Sequence, residues 1–406
     1  MMWFRLSWRN VWANGRRSAL VLGTVLLAGL SLMLFAGYVK ATKIGLEYST
    51  IRGGIGHLQI SGKGGFDGYS DEPLAFGLTP DQVDAIGTAA DRQPNVRRIV
   101  PRLQFSGLVS NGARTLSFAG TGVDPIVENA AFGARQRITG GEPLRSASPS
   151  DGVLLGAELA RRLGVRAGGS VTVMTTTVSG AINAMDMVVV GLVSTGVPQT
   201  ELYFLQAKLD TVKELLATDK VSTVAVLLDD GADAETAARR FEAEVPGLET
   251  RNWRRLSPTY DQVVGLYTTL FTIFAGFIVV VTTFSVATTV LTSVLERTRE
   301  IGIMRSLGIS PASVRRAFLL EGLILCGAGL LLAAVAALLV GQAINAADLT
   351  APPPPGRSVG YPFRIFWDGP AVLAIALIVT ILTAAAAWFV SGRVSRLRIV
   401  NALGAF

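Results

Sequence analysis

Four long stretches of this 406-residue sequence contain no charged residue, and they limit the possible fold more than any other feature. They cover residues 18–39, 262–295, 322–347 and 369–392. About 20 helical residues cross a hydrocarbon core of about 30 Å, and each stretch is longer than that. The first run continues into Tyr38-Val39-Lys40 and not into a small-residue cleavage site, which favours a retained anchor over a secretory signal peptide. We therefore expect four transmembrane helices.

The second stretch is longer than a bilayer requires. Its 34 residues would form about 50 Å of helix, so about 20 Å would project from the membrane. A continuous helix of this length could carry motion along its axis. The alternative is a tilted helix that follows an uncharged loop.

The remaining large segment, residues 41–260, has the composition of a mixed α/β soluble domain. The net charge of +7 does not indicate a nucleic-acid partner, because residues 40–261 contain 23 Lys+Arg against 25 Asp+Glu. The sequence predicts a helix after a Thr79 N-cap, a hairpin around Asn111-Gly112, a helix around Ala207 to Ala217 and another after an Asp233 N-cap. The element order does not decide between one sheet and two.

A dense charged island, residues 295–321, separates the second and third apolar runs. Within it, Ile301, Met304 and Leu307 recur at a spacing of three, which predicts a short amphipathic helix with one apolar stripe. Gly308 would end that helix, and Ser310-Pro311 would begin the next one. On pattern alone, the island could also be an ordinary polar turn between two membrane helices.

The order of motifs in this island resembles the FtsX/LolC-LolE/MacB family of ABC transporter permeases. The resemblance is carried by Glu296-Arg297-Thr298-Arg299-Glu300-Ile301-Gly302, by Arg305-Ser306-Leu307-Gly308 and by Phe318-Leu319-Leu320-Glu321-Gly322. In that family this segment is the coupling helix, which docks on a nucleotide-binding subunit. The resemblance implies that ATPase coupling involves Glu296, Arg297, Arg299, Glu300, Ile301, Gly302, Met304, Arg305, Leu307 and Gly308.

The sequence offers little for catalysis. Its one histidine, His57, and its one cysteine, Cys326, exclude an intrachain disulfide and make a Ser-His-Asp or zinc centre implausible. The Asp71-Glu72 and Asp229-Asp230 pairs fall in predicted turns. Only Lys63 among six lysines follows a glycine, and no Walker A loop is present. We therefore expect no enzymatic activity and no cofactor in this chain, with ATP and Mg bound by a partner ATPase.

The distribution of arginine predicts the topology. Residues 1–17 contain four Arg, 295–316 five and 391–406 three, whereas the 348–368 loop balances two Arg against two Asp. Both termini should therefore be cytoplasmic and the large domain periplasmic, in a bacterial inner membrane. Glu321 is the one carboxylate inside a predicted span. It should be paired or face a protein interior, with a partner from another segment or subunit, since Arg315 and Arg316 are badly placed.

The predicted fold is a membrane protein with four transmembrane α-helices and a large mixed α/β periplasmic domain between helices 1 and 2. The predicted segments are a cytoplasmic interfacial lead (1–17), TM1 (18–40), the periplasmic domain (41–260), a long TM2 (261–294), the coupling segment (295–316), TM3 (317–347), a Pro-rich periplasmic loop containing Pro352 to Pro355 (348–368), TM4 (369–392) and a cytoplasmic tail (393–406).

The resemblance implies a permease subunit that couples hydrolysis by a separate ATPase dimer to work outside the membrane. Extraction of a lipoprotein or other amphiphile is the favoured task. MacB-like efflux with an adaptor and outer-membrane channel, and FtsX-like signalling to a cell-wall hydrolase, are the alternatives. Four spans are few for a solute pathway, so we expect a second permease copy, identical or homologous. A periplasmic adaptor, a chaperone or a lipoprotein and membrane lipid are further expected partners.

Overall fold

The structure is a computed structural model that describes residues 15–67, 74–132, 137–229, 231–351 and 361–394. Several predicted features lie outside the described residues: the lead up to residue 14, the Asp71-Glu72 pair, Asp230, the Pro352 to Pro355 run and the tail from residue 395. The described chain forms two compact units. The helical unit contains residues up to Ile44, then Gln262–Thr350 and the residues from Pro362 on, and the α/β unit contains Gly45–Asp261 together with Ala351 and Tyr361.

The first long helix runs to Thr50, ten residues past the predicted end of TM1 at residue 40. In chain order the helices are α1 (Gly15–Thr50), α2 (Pro80–Asp91), α3 (Pro125–Phe132), α4 (Ala157–Leu163), α5 (Pro198–Glu201), α6 (Leu209–Leu216), α7 (Ala234–Glu244), α8 (Trp253–Leu256), α9 (Pro258–Glu296), α10 (Thr298–Ser306), α11 (Pro311–Ala346) and α12 (Gly369–Val394). A π-helical turn, Ile51–Ile55, follows α1.

Four helices among the described residues are long and apolar enough to cross a membrane: Ser18–Ile55, Pro258–Glu296, Pro311–Ala346 and Gly369–Gly392. The predicted fold class is therefore confirmed. The second of these helices is continuous over 39 residues, about 58 Å long, so the alternative with an uncharged loop in front of a shorter helix is wrong.

Small residues let α1 and α11 approach closely. A Cβ atom added to Gly29 would lie 2.9 Å from Ala333 Cβ, and one added to Gly329 would lie 2.9 Å from Val25 Cβ. Without a hydrophobic driving force between helices in lipid, such close backbone packing is a main source of association. The apolar cluster around this contact draws side chains from all four long helices, and it includes the buried Cys326.

The α/β unit is built on one ten-stranded sheet. Its strands are β1 (Leu58–Gly62), β2 (Val96–Ser110), β3 (Thr115–Val123), β4 (Arg137–Gly141), β5 (Gly152–Gly156), β6 (Ser170–Thr176), β7 (Ile182–Ser194), β8 (Phe204–Lys208), β9 (Thr223–Leu228) and β10 (Leu248–Asn252). The order is β10-β1-β9-β2-β3-β8-β5-β7-β4, and β6 pairs with β2 and β7. Two short strands, β11 (Thr350–Ala351) and β12 (Tyr361–Pro362), form a separate pair.

Strand β2 belongs to two lobes of this sheet. Its first part pairs with β9 up to the Arg102–Thr223 register position, and its second part pairs with β3 from the Arg102–Val123 position onward. Each lobe has its own apolar core. Leu58, Ile86 and Phe241 are fully buried in one, and Leu103 and Leu155 in the other.

The two helix starts predicted from N-cap residues in the α/β unit are confirmed. Thr79 and Gln82 form a capping box at the start of α2. The Asp233 carboxylate accepts a hydrogen bond from the Glu235 amide at the start of α7. The predicted hairpin also forms, and β2 and β3 pair on either side of Asn111-Gly112. His57 precedes β1, and its Nδ1 accepts a hydrogen bond from the Leu228 amide at 3.0 Å, so it is a packed residue.

The predicted helix around Ala207 to Ala217 is wrong in its first part. Residues Phe204–Lys208 form β8, and helix α6 begins only at Leu209. Strand β8 pairs in parallel with β3 and antiparallel with β5, so distant strands decide its conformation.

Charge pairing also stabilises short helices of this unit. The Arg161 guanidinium donates to both carboxylate oxygens of Glu158, at 2.8 and 2.5 Å, and Arg162 donates at 3.1 Å. These hydrogen bonds, the one from Arg161 first, hold the pKa of Glu158 below its usual range. Helix α4 then ends at Gly164, whose φ of +74° is the left-handed conformation that glycine adopts at helix ends.

Candidate functional site

The charged island folds into a short helix between two corners, and at the first of them helical backbone hydrogen bonds continue from the Arg297 amide to Ser293 and from the Ile301 amide to Arg297. The first corner is Arg297, which lies in a turn between α9 and α10. The Thr298 hydroxyl closes this turn by donating to the carbonyl oxygen of Leu295 at 2.5 Å. The second corner is Gly308, with a φ of +86°, followed by Ser310, whose Oγ accepts from the Ser313 amide at the start of α11. The predicted stop and restart signals are confirmed.

One side of α10 is anchored by apolar packing. Ile301 is 6% exposed and packs in a cluster with Val294 of α9 and with Val314 and Phe318 of α11. Gly302 is buried beside it. Because the cluster draws on the helices before and after α10, it fixes the orientation of the short helix relative to both.

The other side of α10 faces outward and carries apolar side chains. Ile303 is 48% exposed and Leu307 is 78% exposed, and Leu295 at the end of α9 is 53% exposed. The prediction of one apolar stripe through Ile301 and Leu307 is therefore wrong. Ile301 is an anchor, and the outward apolar pair is Ile303 and Leu307, which are four residues apart and so close to one helix face.

Other members of the predicted coupling set are also exposed. Glu296, Arg299 and Gly308 are exposed. The side chains of Glu300, Met304 and Arg305 lie outside the described part of the structure. The surface thus combines an apolar centre with flanking charge, which is the usual composition of a protein-binding patch.

The membrane carboxylate Glu321 has a partner from the charged island. Arg297 Nη1 lies 3.5 Å from Glu321 Oε2, and the two side chains are 16% and 14% exposed. The expectation that another segment supplies the partner is confirmed. Arg315 has a different role, since its guanidinium lies 3.8 Å from the centre of the Trp388 ring and donates to the Trp388 carbonyl oxygen at 3.3 Å.

A second group of contacts, which the sequence did not predict, lies in the α/β unit around Arg102. Arg102 donates from Nε and Nη2 to the Glu128 carboxylate, at 3.1 and 2.6 Å, and from Nη1 to the carbonyl oxygen of Gly54. Its guanidinium also lies 4.7 Å from the centre of the Phe132 ring. Gly54 has a φ of +104° in the π-helical turn after α1. A glycine pair, Gly53-Gly54, directly after a long helix was the available sequence signal.

A cleft of about 570 Å³ lies beside the partners of Arg102, and its lining includes Gly54, Glu128 and Phe132. Its lining combines apolar side chains such as Leu144 and Phe204 with polar ones such as Arg52 and Asn129. Such a mixed lining does not distinguish an apolar ligand from a polar one. Within the described ranges, no three His, Cys, Asp or Glu side chains are grouped as a metal site would require.

Two family models match the chain. The MacB-like periplasmic core domain matches residues 18–244, more than half of the sequence, and the FtsX-like permease C-terminal domain matches residues 272–399. The second match includes α10, Arg297 and Glu321.

Curated relatives agree with these matches. The lipoprotein-releasing system transmembrane protein LolC of Neisseria meningitidis serogroup B is 31% identical over 178 residues, 42% of this chain and 43% of the relative. LolC of Xylella fastidiosa strain 9a5c is 26% identical over 236 residues, 56% of this chain and 57% of the relative. The uncharacterized ABC transporter permease YknZ of Bacillus subtilis is 26% identical over 153 residues, 36% of this chain and 38% of the relative. The chain thus spans about half the length of the relatives it matches.

Solved structures similar to this chain include the periplasmic region of MacB from Actinobacillus actinomycetemcomitans, at 13% identity and a TM-score of 0.36, covering 52% of this chain and 95% of that one. The extracellular domain of YknZ from Gram-positive bacteria has 14% identity and a TM-score of 0.34, covering 45% and 95%. The family matches carry the assignment: the chain belongs to the FtsX/LolC-LolE/MacB family of ABC transporter permeases.

Proposed function

We propose that α10 docks on a separate ATPase subunit and transmits its ATP-driven movement to the membrane helices. The single observation that carries this proposal is the two-sided packing of α10. Ile301 fixes one side to α9 and α11, while Ile303 and Leu307 project from the other. A helix that is packed against the protein on one side and exposes apolar residues on the other can bind a partner and be displaced together with it. ATP and Mg are bound by the partner in this scheme.

The chemistry of the outward side fits a protein partner. Leu307 lies in a turn outside the long apolar helices, where a fully covered leucine contributes about 1.5–3 kcal/mol relative to an exposed one. Exposed apolar residues beside the charges of Glu296 and Arg299 match the core-and-rim arrangement of protein interfaces.

The proposed task is release of a lipoprotein or similar amphiphile from the membrane. Its support is the LolC relatives, which are described as transmembrane proteins of a lipoprotein-releasing system. In this scheme the α/β unit lies in the periplasm, both termini lie in the cytoplasm of a bacterial inner-membrane protein, and a second permease copy completes the complex. The arginine distribution along the sequence supports this orientation.

Affinity purification of the tagged full chain, followed by mass spectrometry, tests the docking step. Wild type should recover an ABC ATPase. Leu307→Asp and Arg299→Glu should reduce recovery, Leu307→Asp by about 30-fold for a loss of about 2 kcal/mol. Arg240→Glu is the matched control, since Arg240 is exposed on α7 in the α/β unit. Equal recovery in all variants would refute docking through α10.

Docking variants should change exposed side chains only. Gly302→Trp is a poor test because Gly302 is buried, so that change would disturb the anchor as well as any docking surface. Leu307→Asp alters a side chain that is 78% exposed and should leave membrane insertion intact.

The transport task is tested by reconstituting the permease and its ATPase in liposomes that contain a fluorescent lipoprotein. ATP-dependent release that Leu307→Asp abolishes is the expected result. No release, together with co-purification of an adaptor and an outer-membrane channel, would support efflux instead. No release with activation of a cell-wall hydrolase would support signalling.

A further inference from the structure

The ion pair between Arg297 and Glu321 joins the corner of the coupling segment to the third membrane helix. Arg297 occupies the turn between α9 and α10, and Glu321 lies ten residues after Pro311, the first residue of α11. The two side chains are 16% and 14% exposed, and their charged atoms are 3.5 Å apart. A carboxylate in this setting is costly unless a charge or hydrogen bonds compensate it.

Three helices meet around the Glu321 carboxylate. A space of about 30 Å³ beside it is lined by Ser18 of α1, by Thr289 and Ser293 of α9 and by Glu321 itself. Polar and apolar residues of two other helices therefore line the same small space as Glu321. The low exposure of both charged side chains agrees with a position inside the bundle.

The apolar anchor of α10 uses the same two long helices. Val294 of α9 and Val314 of α11 both contact the cluster that buries Ile301. The coupling segment is therefore attached twice, by apolar packing along α10 and by a charge pair at its first corner. The apolar contacts hold α10 along its length, and the ion pair adds a charged contact between its first corner and α11.

We propose that Arg297 and Glu321 are positioning residues that make α10 and α11 one moving unit. This inference rests on the proposed docking of an ATPase on α10. A displacement of α10 then reaches α11 directly through the pair, in addition to passing into α9 along the chain. Without the pair, α10 would tilt at Arg297 and part of the displacement would be lost.

Hydrogen–deuterium exchange of the full chain in nanodiscs, without any ATPase, tests the attachment itself. Glu321→Gln and Arg297→Gln should each speed exchange of the α10 amides by about tenfold, since α10 opens more readily once its corner is released. The double variant should show no further increase, because both changes remove one interaction. Arg316→Gln is the control, as Arg316 is exposed at the start of α11. Unchanged exchange in both single variants would overturn the proposal.

A second measurement separates positioning from simple stabilisation. In the ATPase complex, each single variant should retain ATP turnover but release several-fold less substrate per ATP. The reversed pair, Arg297→Glu with Glu321→Arg, should recover most of the substrate release per ATP. Parallel loss of turnover and release, without recovery in the reversed pair, would overturn the positioning role. Failure of wild type to bind any ATPase would instead contradict the proposed function, and the exchange experiment would still decide the attachment.

Discussion

Replacing Arg102 by methionine should release the end of the first long helix from the sheet. Methionine keeps an unbranched apolar stem but removes the guanidinium and its contact with the Phe132 ring. The variant therefore loses both hydrogen bonds to Glu128 and the bond to the Gly54 carbonyl oxygen.

The size of the destabilisation follows from how deeply the Arg102–Glu128 ion pair is buried. Arg102 and Glu128 are 11% and 18% exposed. Removing one partner of a buried pair costs about 3–5 kcal/mol, and the residual exposure places this case near the lower limit. A loss of about 3 kcal/mol should raise the local opening constant by about 100-fold. Arg102→Lys should have a smaller effect than Arg102→Met, because an ammonium group keeps a positive charge near Glu128, but it should not equal wild type, because it cannot reproduce the forked contact.

Hydrogen–deuterium exchange of the full chain in nanodiscs measures this opening. The reporter is the Gly56 amide, which donates to the Ile51 carbonyl oxygen at 2.9 Å and closes the π-helical turn. The matched control is Arg98→Met, since Arg98 is exposed on the same strand. Faster exchange at Gly56 in the Arg102 variant alone is the expected result. If exchange at Gly56 is the same in wild type and Arg102→Met, the anchoring role of Arg102 is refuted.

Three further changes test other contacts. Gly29→Leu should lower the melting temperature of the detergent-solubilised chain by several degrees, because the new leucine side chain would collide with α11. Gly23→Leu is the control and should not lower it, since the space at Gly23 is open. Thr79→Ala should destabilise the α/β unit by about 1 kcal/mol in urea unfolding through loss of the N-cap, and Thr88→Ala, an exposed helix-interior change, should not. The pKa of Glu158 is lowered in the folded state, so its charge stabilises the fold above the unfolded pKa and this contribution is lost as pH falls through the folded pKa. The melting temperatures of wild type and Glu158→Gln should therefore differ at pH 7 and converge as the pH is lowered through the folded pKa, and a constant difference would contradict the pairing.

Features governed by neighbouring residues were predictable from the sequence. A capping box needs only Thr79 and Gln82, and a left-handed helix end needs only a glycine such as Gly308, so local reading was sufficient. The membrane helices were predictable for a related reason, since an uncharged apolar run has few alternatives to burial in lipid.

Features governed by distant pairing were not predictable. Strand β8 becomes a strand because it lies between β3 and β5, and its five residues carry too little periodicity to indicate this alone. The single sheet likewise depends on β2 crossing between lobes.

In the candidate site, too, features set by neighbouring residues were predictable and features set by distant contacts were not. The sequence predicted a short helix in the charged island and a partner for Glu321. It did not identify Arg297, because that partner depends on the angle of the turn between α9 and α10. The stripe prediction failed at Leu307 because two steps of three residues turn a helix about 120° away from Ile301, which puts Leu307 on the side of Ile303.

Strand β2 has a consequence for how the α/β unit unfolds. Two separate apolar cores would ordinarily suggest two independent melting transitions. Here a single covalent strand is a hydrogen-bonded member of both lobes, and Arg102 is the register position at which β9 pairing gives way to β3 pairing. Neither lobe can lose β2 without exposing a sheet edge of the other. The two cores should therefore melt in one cooperative transition, and the boundary between them is an unsuitable place to divide the chain into smaller folding units.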